Sequence, residues 1–282
     1  MFRLPPQTQE KALLENAVNL MVRLATDGDE FHAPTIYEFF PDVIFFEGTW
    51  FEINRIILVR FLAVAVLVLL FWLGTRKLSI VPGRGQSLVE LGIGFTRDQI
   101  ADSVLGQKDG KRFLPLIASI FFMVLFMNLT GIIPGLNIAG TAVIGVPLLL
   151  AVIAYVAFIY AGVKKNGMGF FKNSLFPAGV PIYVMPLVSV IEFISTFIVR
   201  PVTLSLRLLM NMMVGHLLLV LFFAGTHFFL FSAGGFYALF GVGTLGLGLV
   251  FTLFEILIAV LQAFIFAILT AVYIQQAMLE EH

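Results

Sequence analysis

Residues 186–225 read PLVSVIEFISTFIVRPVTLSLRLLMNMMVGHLLLVLFFAG, forty positions whose only charge-capable side chains are Glu192, Arg200, Arg207 and His216. A stretch this apolar belongs in a bilayer, and as one helix it extends to roughly 60 Å, about twice the hydrocarbon thickness. A hairpin would need turn chemistry near its centre, and residues 204–215 hold no cluster of Gly and Pro. The reading is therefore one long, strongly inclined helix, with a bend possible at Pro201. Arg207 lies near its middle, eighteen residues before Gly225. An arginine so placed costs about 3 kcal/mol or more to insert, which makes function its default explanation.

The rest of the chain has the same character. It is 60% hydrophobic and 12% charged over 282 residues, with a mean hydropathy of +1.01. A soluble domain carries roughly 25% charged residues, so this composition specifies an all-α, polytopic membrane protein. Apolar segments run over about 56–74, 113–133, 146–163, 183–225 and 236–278; the last is as overlong as the fourth and is read in the same way. Residues 1–35 form an N-terminal extension that is partly amphipathic, and 36–282 the membrane domain. The 17 basic and 17 acidic residues cancel, which gives no attraction to nucleic acid, and the absence of cysteine excludes disulfides and thiolate metal sites. No metal or cofactor is implied. The first thirty residues carry Glu10, Lys11, Glu15 and Arg23 in place of a basic start and compact apolar run, so no cleaved signal is expected.

Basic residues set the expected orientation. Arg76, Lys77, Arg84, Arg97, Lys108, Lys111 and Arg112 lie between the first and second segments, and Lys164, Lys165 and Lys172 between the third and fourth. Both loops are expected on the cytoplasmic side, which puts the N-terminus outside and the C-terminus inside. Residues 11–24 and 86–105 are amphipathic and read as interfacial helices or partner contacts.

Projected on an ideal helix, Ser189, Glu192, Thr196, Arg200, Thr203 and Asn211 fall within about 60° of Arg207, while His216 falls on the opposite face. In the fifth segment Glu255 and Gln262 share a face with Thr244, Gly248 and Tyr273. Two inclined helices side by side bring Asn211 toward Gln262 and His216 toward Glu255. Plainer readings stand beside these. Arg200 can snorkel or pair with Glu192. Asn211 and Gln262 can be interhelical hydrogen-bond glue, and the glycines at 234, 235, 241, 243, 246 and 248 can serve close packing. Asn128-Leu129-Thr130 matches a glycosylation sequon, but its apolar setting rules that out. A self-contained secondary transporter using Glu192 and Glu255 is the alternative function, although residues 204–215 lack the midplane break such folds show.

The run from Pro201 to His216, PVTLSLRLLMNMMVGH, resembles the signature of subunit a of the rotary F-type ATP synthase, and Glu255 to Phe264, EILIAVLQAF, resembles its second signature. Asn128, Gly131 and Pro134 match a third pattern, Asn-x-x-Gly-x-x-Pro. The likeness covers about residues 37–278 and departs at Leu209 and Met210, where the family usually shows Phe and then Gly or Ala. It implies a proton-conducting stator working against the carboxylates of a rotating ring of c subunits, beside peripheral-stalk b subunits and membrane lipid within the ATP synthase complex; the uncleaved N-terminus and the long loop between the first two segments favour a bacterial plasma membrane over the alternative, an organellar inner membrane. ATP is not handled by such a chain. By the same resemblance Arg207 is the essential stator arginine, His216 and Glu255 line the outer proton path, Glu192 belongs to the cytoplasmic path, and Asn211 and Gln262 order water or orient Arg207.

Overall fold

A computed structural model of the chain describes residues 34–35, 39–41, 43–45, 48, 52–76, 79–133, 136, 138–167, 169–175, 181, 183–233 and 235–279. The amphipathic residues 11–24 lie outside them. The chain divides into two compact units, one of Met1–Thr35 with Leu217–Thr252 and the other of Ile36–His216 with Leu253–His282. Five helical stretches among the described residues are long and apolar enough to cross a membrane.

The larger unit opens with a short antiparallel pair, β1 (Val43–Phe45) and β2 (Ile53–Asn54). Asn54 then starts α1 (Arg55–Thr75), its Oδ1 accepting from the Ile57 amide at 3.0 Å. That bond satisfies one of the donors a helix start leaves open. At 21 residues, α1 spans about 31 Å, the thickness of a hydrocarbon core. Beyond Arg60 its surface is apolar all round up to Thr75, as suits a helix in lipid. Near its start Arg60 donates through Nε to the Gly140 carbonyl at 2.8 Å, so this arginine ties down the loop after the second span.

That span is a hairpin folded at one glycine. The helix α2 (Arg84–Thr96) continues through a π-helical turn, Arg97–Ala101, into α3 (Asp102–Leu129). Within α3 Gly106 has φ 76° and ψ 167°, a conformation open to glycine and unfavourable for side chains with a Cβ. The chain reverses there, so Phe95 meets Phe121 with ring centroids 5.8 Å apart. Ile100 and Ala101 are fully covered. Of residues 86–105, expected as an interfacial or partner-binding helix, the end around Ile100 and Ala101 packs into this unit's own core, while Leu88 and Leu91 stay exposed.

Asn128, the first member of the Asn-x-x-Gly-x-x-Pro pattern, lies at the hairpin's far end and has a structural reason. Thr141 donates to Asn128 Oδ1 at 2.5 Å, Thr130 Oγ1 donates to the Met127 carbonyl at 2.7 Å, and the Gly140 amide returns to Met127 O at 3.0 Å. Asn128 is buried and engaged, which agrees with setting the sequon aside.

Next come α4 (Gly145–Asn166) and the short α5 (Gly169–Leu175), then α6 (Met185–Phe193), a second π turn at Ile194–Val199, and α7 (Arg200–His227). The π turn answers Pro201. Proline has no N–H to donate and its ring crowds the preceding turn, and the widened turn absorbs both effects, with the Arg200 amide reaching back to Ser195 O. The last helix, α8 (Ala238–Met278), runs 41 residues without a break, roughly 60 Å. The hairpin alternative is excluded for it. On α8, Ala259, Ala263, Ala267 and Ala271 recur every four residues, all fully covered. This small-residue stripe lets neighbouring backbones approach. In the core, Ala263 to Met278 of α8 pack with Leu204 and Leu208 of α7, Ile117, Phe121 and Val124 of α3, and Leu150 to Ala154 of α4.

The described helical residues of the smaller unit form a hairpin. Residues 217–233 and 235–252 are clasped by Thr226 Oγ1 donating to Thr244 Oγ1 at 3.0 Å and by the Phe222 and Phe251 rings at 5.7 Å. Gly248 packs against Phe222 and Phe223, whereas Gly243 and Gly246 face open space. Thr244 and Gly248, drawn in projection on one polar face with Glu255, here serve packing.

Candidate functional site

Three pairings within the larger unit fix the register of α7 against α8. Arg200 Nη1 donates to Gln276 Oε1 at 2.9 Å, Asn211 Nδ2 donates to Gln262 Oε1 at 2.9 Å, and Gly215 sits against the Glu255 carboxyl. The positions rise along α7 as they fall along α8, so the helices run antiparallel. The polar groups at the ends of this series flank Arg207.

Arg207 itself is exposed, on a face shared with Thr203, Leu206, Met210, Asn211 and Val214. Among the described residues it makes no hydrogen bond or ion pair. The guanidinium thus stands on a largely apolar surface, with Thr203 and Asn211 as its polar neighbours, at the depth of a membrane span, a costly place for a charge lacking a counterion. One turn on, Asn211 is tied to Gln262, which is buried and whose Nε2 finds no acceptor among the described residues. Met210, the departure from a usually small residue, projects outward from this face and does not separate α7 from α8.

Beyond Asn211 lies the first group of buried polar side chains. Glu255 is buried, and its Oε1 lies 2.7 Å from where a Cβ on residue 215 would stand. A side chain at 215 would oblige that carboxyl to shift. Its Oε2 has no hydrogen-bond partner among the described residues. His216, next in the chain, is buried too, its ring meeting Phe39 edge-on at 5.2 Å and 69°. The structure thus brings Glu255 to Gly215, beside His216, and adds a residue from before the first span that sequence reasoning did not single out.

The second polar group lies on the other side of Arg207 and borders a cavity. A cavity of about 260 Å³ is lined by Asn166, Ser174, Glu192, Thr196, Arg200 and Gln276 together with Phe158, Phe170, Ala277 and Leu279. Thr196 Oγ1 donates to Glu192 Oε1 at 3.1 Å. Arg200 does not pair with Glu192; it engages Gln276 and stacks over Tyr273 at 5.6 Å. A smaller void of about 10 Å³, also reaching Thr196 and Arg200, is lined by Tyr155 and Tyr273. The Tyr155 hydroxyl is buried there without a partner among the described residues. Volumes near 10–15 Å³ suffice for one water.

The stripe drawn from Ser189 to Asn211 is divided in the structure. Thr196 is covered and faces the cavity, whereas Arg207 is open. The π turn before α7 accounts for this, because its extra residue per turn rotates α6 about the helix axis relative to α7. Gln276, Asn166, Ser174 and Tyr155 escaped the sequence reading. For Gln276 a signal existed: it falls at a multiple of seven from Glu255 and Gln262, so all three share one side of α8.

A model of the family described as ATP synthase A chain matches residues 57–275. The chain is 47% identical over 256 residues to ATP synthase subunit a of Rhodococcus erythropolis, an alignment covering 90% of this chain and 93% of that protein. It is 38% identical over 269 residues to ATP synthase subunit a of Streptomyces lividans, covering 91% of each. Against ATP synthase subunit a of Gluconobacter oxydans it is 38% identical over 216 residues, covering 77% and 84%. With five membrane-crossing helical stretches and a match over most of its length, this multi-pass membrane protein belongs to the ATP synthase A chain family.

Proposed function

We propose that this chain, the proton-translocating stator subunit of the ATP synthase membrane sector, gives protons access to the carboxylates of a rotating c ring through two half-channels that meet at Arg207. Arg207, exposed and unpaired among the described residues on a largely apolar face, carries the reading. A guanidinium stays charged at any working pH, so it attracts an ionised carboxylate and drives off its proton, yet cannot relay that proton itself. It draws in each ring carboxylate and blocks direct leakage between the two paths. An arginine locked permanently to a dry carboxylate would stall rotation, so the contact is transient or hydrated.

His216 and Glu255 line the path from the outer side, and Glu192 with its cavity opens to the cytoplasm. The hydrogen bond from Asn211 to Gln262 holds the central section, orienting Arg207 and ordering water. In this arrangement the N-terminus is outside and the C-terminus cytoplasmic in a bacterial plasma membrane. Residues 36–282 form the working domain, with peripheral-stalk b subunits as further neighbours. Two strongly inclined helices suit the task, because a helix lying across a curved ring meets several carboxylates in succession. The driving force is worth about 2.3 kcal/mol per charge per 100 mV.

Reconstitution tests the assignment. The chain should co-purify with a small two-helix carboxylate protein and a soluble ATPase, and the assembled complex should pump protons on ATP addition. Transport of a substrate by this chain alone in vesicles would contradict it.

A further inference from the structure

We propose that Arg112, Tyr160 and Lys164 form a binding site for the headgroup of an anionic phospholipid, one of whose acyl chains lies along Val156, Ile159 and Val163. Two cations converge on one oxygen: Arg112 Nη2 donates to the Tyr160 hydroxyl at 3.0 Å and Lys164 Nζ donates to it at 3.2 Å. Both also lie against the Tyr160 ring at 5.5 Å, and Arg112 caps the Phe113 ring at 5.4 Å. Like charges held this close repel unless an anion joins them. Among the described residues none does. No carboxylate pairs with either, and Asp109, one turn before Arg112, makes no ion pair with it.

The hollow beside this cluster supplies the rest. It has a volume of about 600 Å³ and is lined by Val156, Ile159, Tyr160, Val163 and Lys164. Four of these belong to a membrane-crossing helix and Lys164 lies in its last turn, so the hollow runs from a cationic rim into the apolar layer. A phosphodiester has two non-bridging oxygens, one for the guanidinium and one for the ammonium. The Tyr160 oxygen is occupied as an acceptor, which leaves its proton to donate to the same headgroup. Basic pockets at helix ends hold anionic lipids by this chemistry. Lys111 and Lys165, adjacent in sequence, add positive potential. The site plays no part in the proton path and stands apart from the reading of Arg207.

Photolabelling of the intact complex decides it. The complex is purified in detergent and supplied with equal amounts of phosphatidylglycerol and phosphatidylcholine, one or the other carrying a photoactivatable acyl chain. Labelled peptides are then located by mass spectrometry. Phosphatidylglycerol should label residues 156–163 with a preference on the order of tenfold. The double variant Arg112→Gln, Lys164→Gln should abolish the preference, and Lys164→Arg should keep it. If the double variant fails to assemble, the wild-type comparison of the two lipids and the Lys164→Arg variant still decide. Equal labelling by both lipids overturns the proposal, as does a preference that survives in the double variant. Displacement by millimolar inorganic phosphate would make this a site for a free anion, and a cross-link to an acidic segment of a neighbouring subunit would make it a protein contact; either result overturns the lipid assignment.

Discussion

Asn211 Nδ2 donates to Gln262 Oε1 across 2.9 Å, one helical turn after Arg207, and the bond selects which part of α8 lies beside the arginine. Replacing Asn211 by Leu leaves the buried Gln262 amide without this partner, at a cost of about 1–3 kcal/mol. The prediction is that Asn211→Leu and Gln262→Leu each lower ATP-driven proton pumping, while the double variant loses much less than the sum of the two. A strictly additive double-mutant cycle would show that the pair acts through separate routes.

The Glu255 carboxyl lies close against Gly215, where an added Cβ would stand 2.7 Å from Oε1 and oblige the carboxyl to move. Gly215→Ala is expected to displace that carboxyl and depress proton flux in both directions, much as Glu255→Leu should. Shortening the acid in the background of the first change, Gly215→Ala with Glu255→Asp, should recover part of the flux by making room for the methyl group. Passive proton conduction in stripped vesicles measures all three. Wild-type conduction in Gly215→Ala or Glu255→Leu would remove Glu255 from the outer path.

Tyr155 is buried beside a void of about 10 Å³ that also touches Arg200 and Thr196. If that hydroxyl holds a water of the cytoplasmic path, Tyr155→Phe loses one hydrogen bond, about 1 kcal/mol, and slows proton flux by roughly fivefold. Assembly and the soluble ATPase activity should be unchanged. Flux equal to wild type would confine the path to the larger cavity around Glu192.

How much of this was legible in the sequence differs from element to element. Hydropathy located the apolar segments because each crosses a medium that tolerates few charges, and the lack of turn residues gave the unbroken length of α8. Asn211 and Gln262 could be named as neighbours, but not their register, which the alanine stripe on α8 helps set by close packing with several helices at once. The reversal at Gly106 was missed because one positive-φ glycine leaves no trace in an amphipathic pattern, so the reading of residues 86–105 did not include the burial of Ile100 and Ala101 at their end. The division of the polar stripe was missed for a similar reason. Pro201 signalled a bend, whereas the π turn that absorbs it shifts helical phase in a way that a constant 100° projection does not carry.

Arg207 is expected to meet its countercharge from outside the chain. ATP-driven proton pumping by complexes carrying Arg207→Ala or Arg207→Lys, reconstituted in vesicles after assembly has been checked by subunit composition, bears on this without intermediaries. Pumping should be abolished in the alanine variant and severely impaired in the lysine variant, since lysine lacks the planar fork and can lose its proton. Near-normal pumping by either variant would contradict the account.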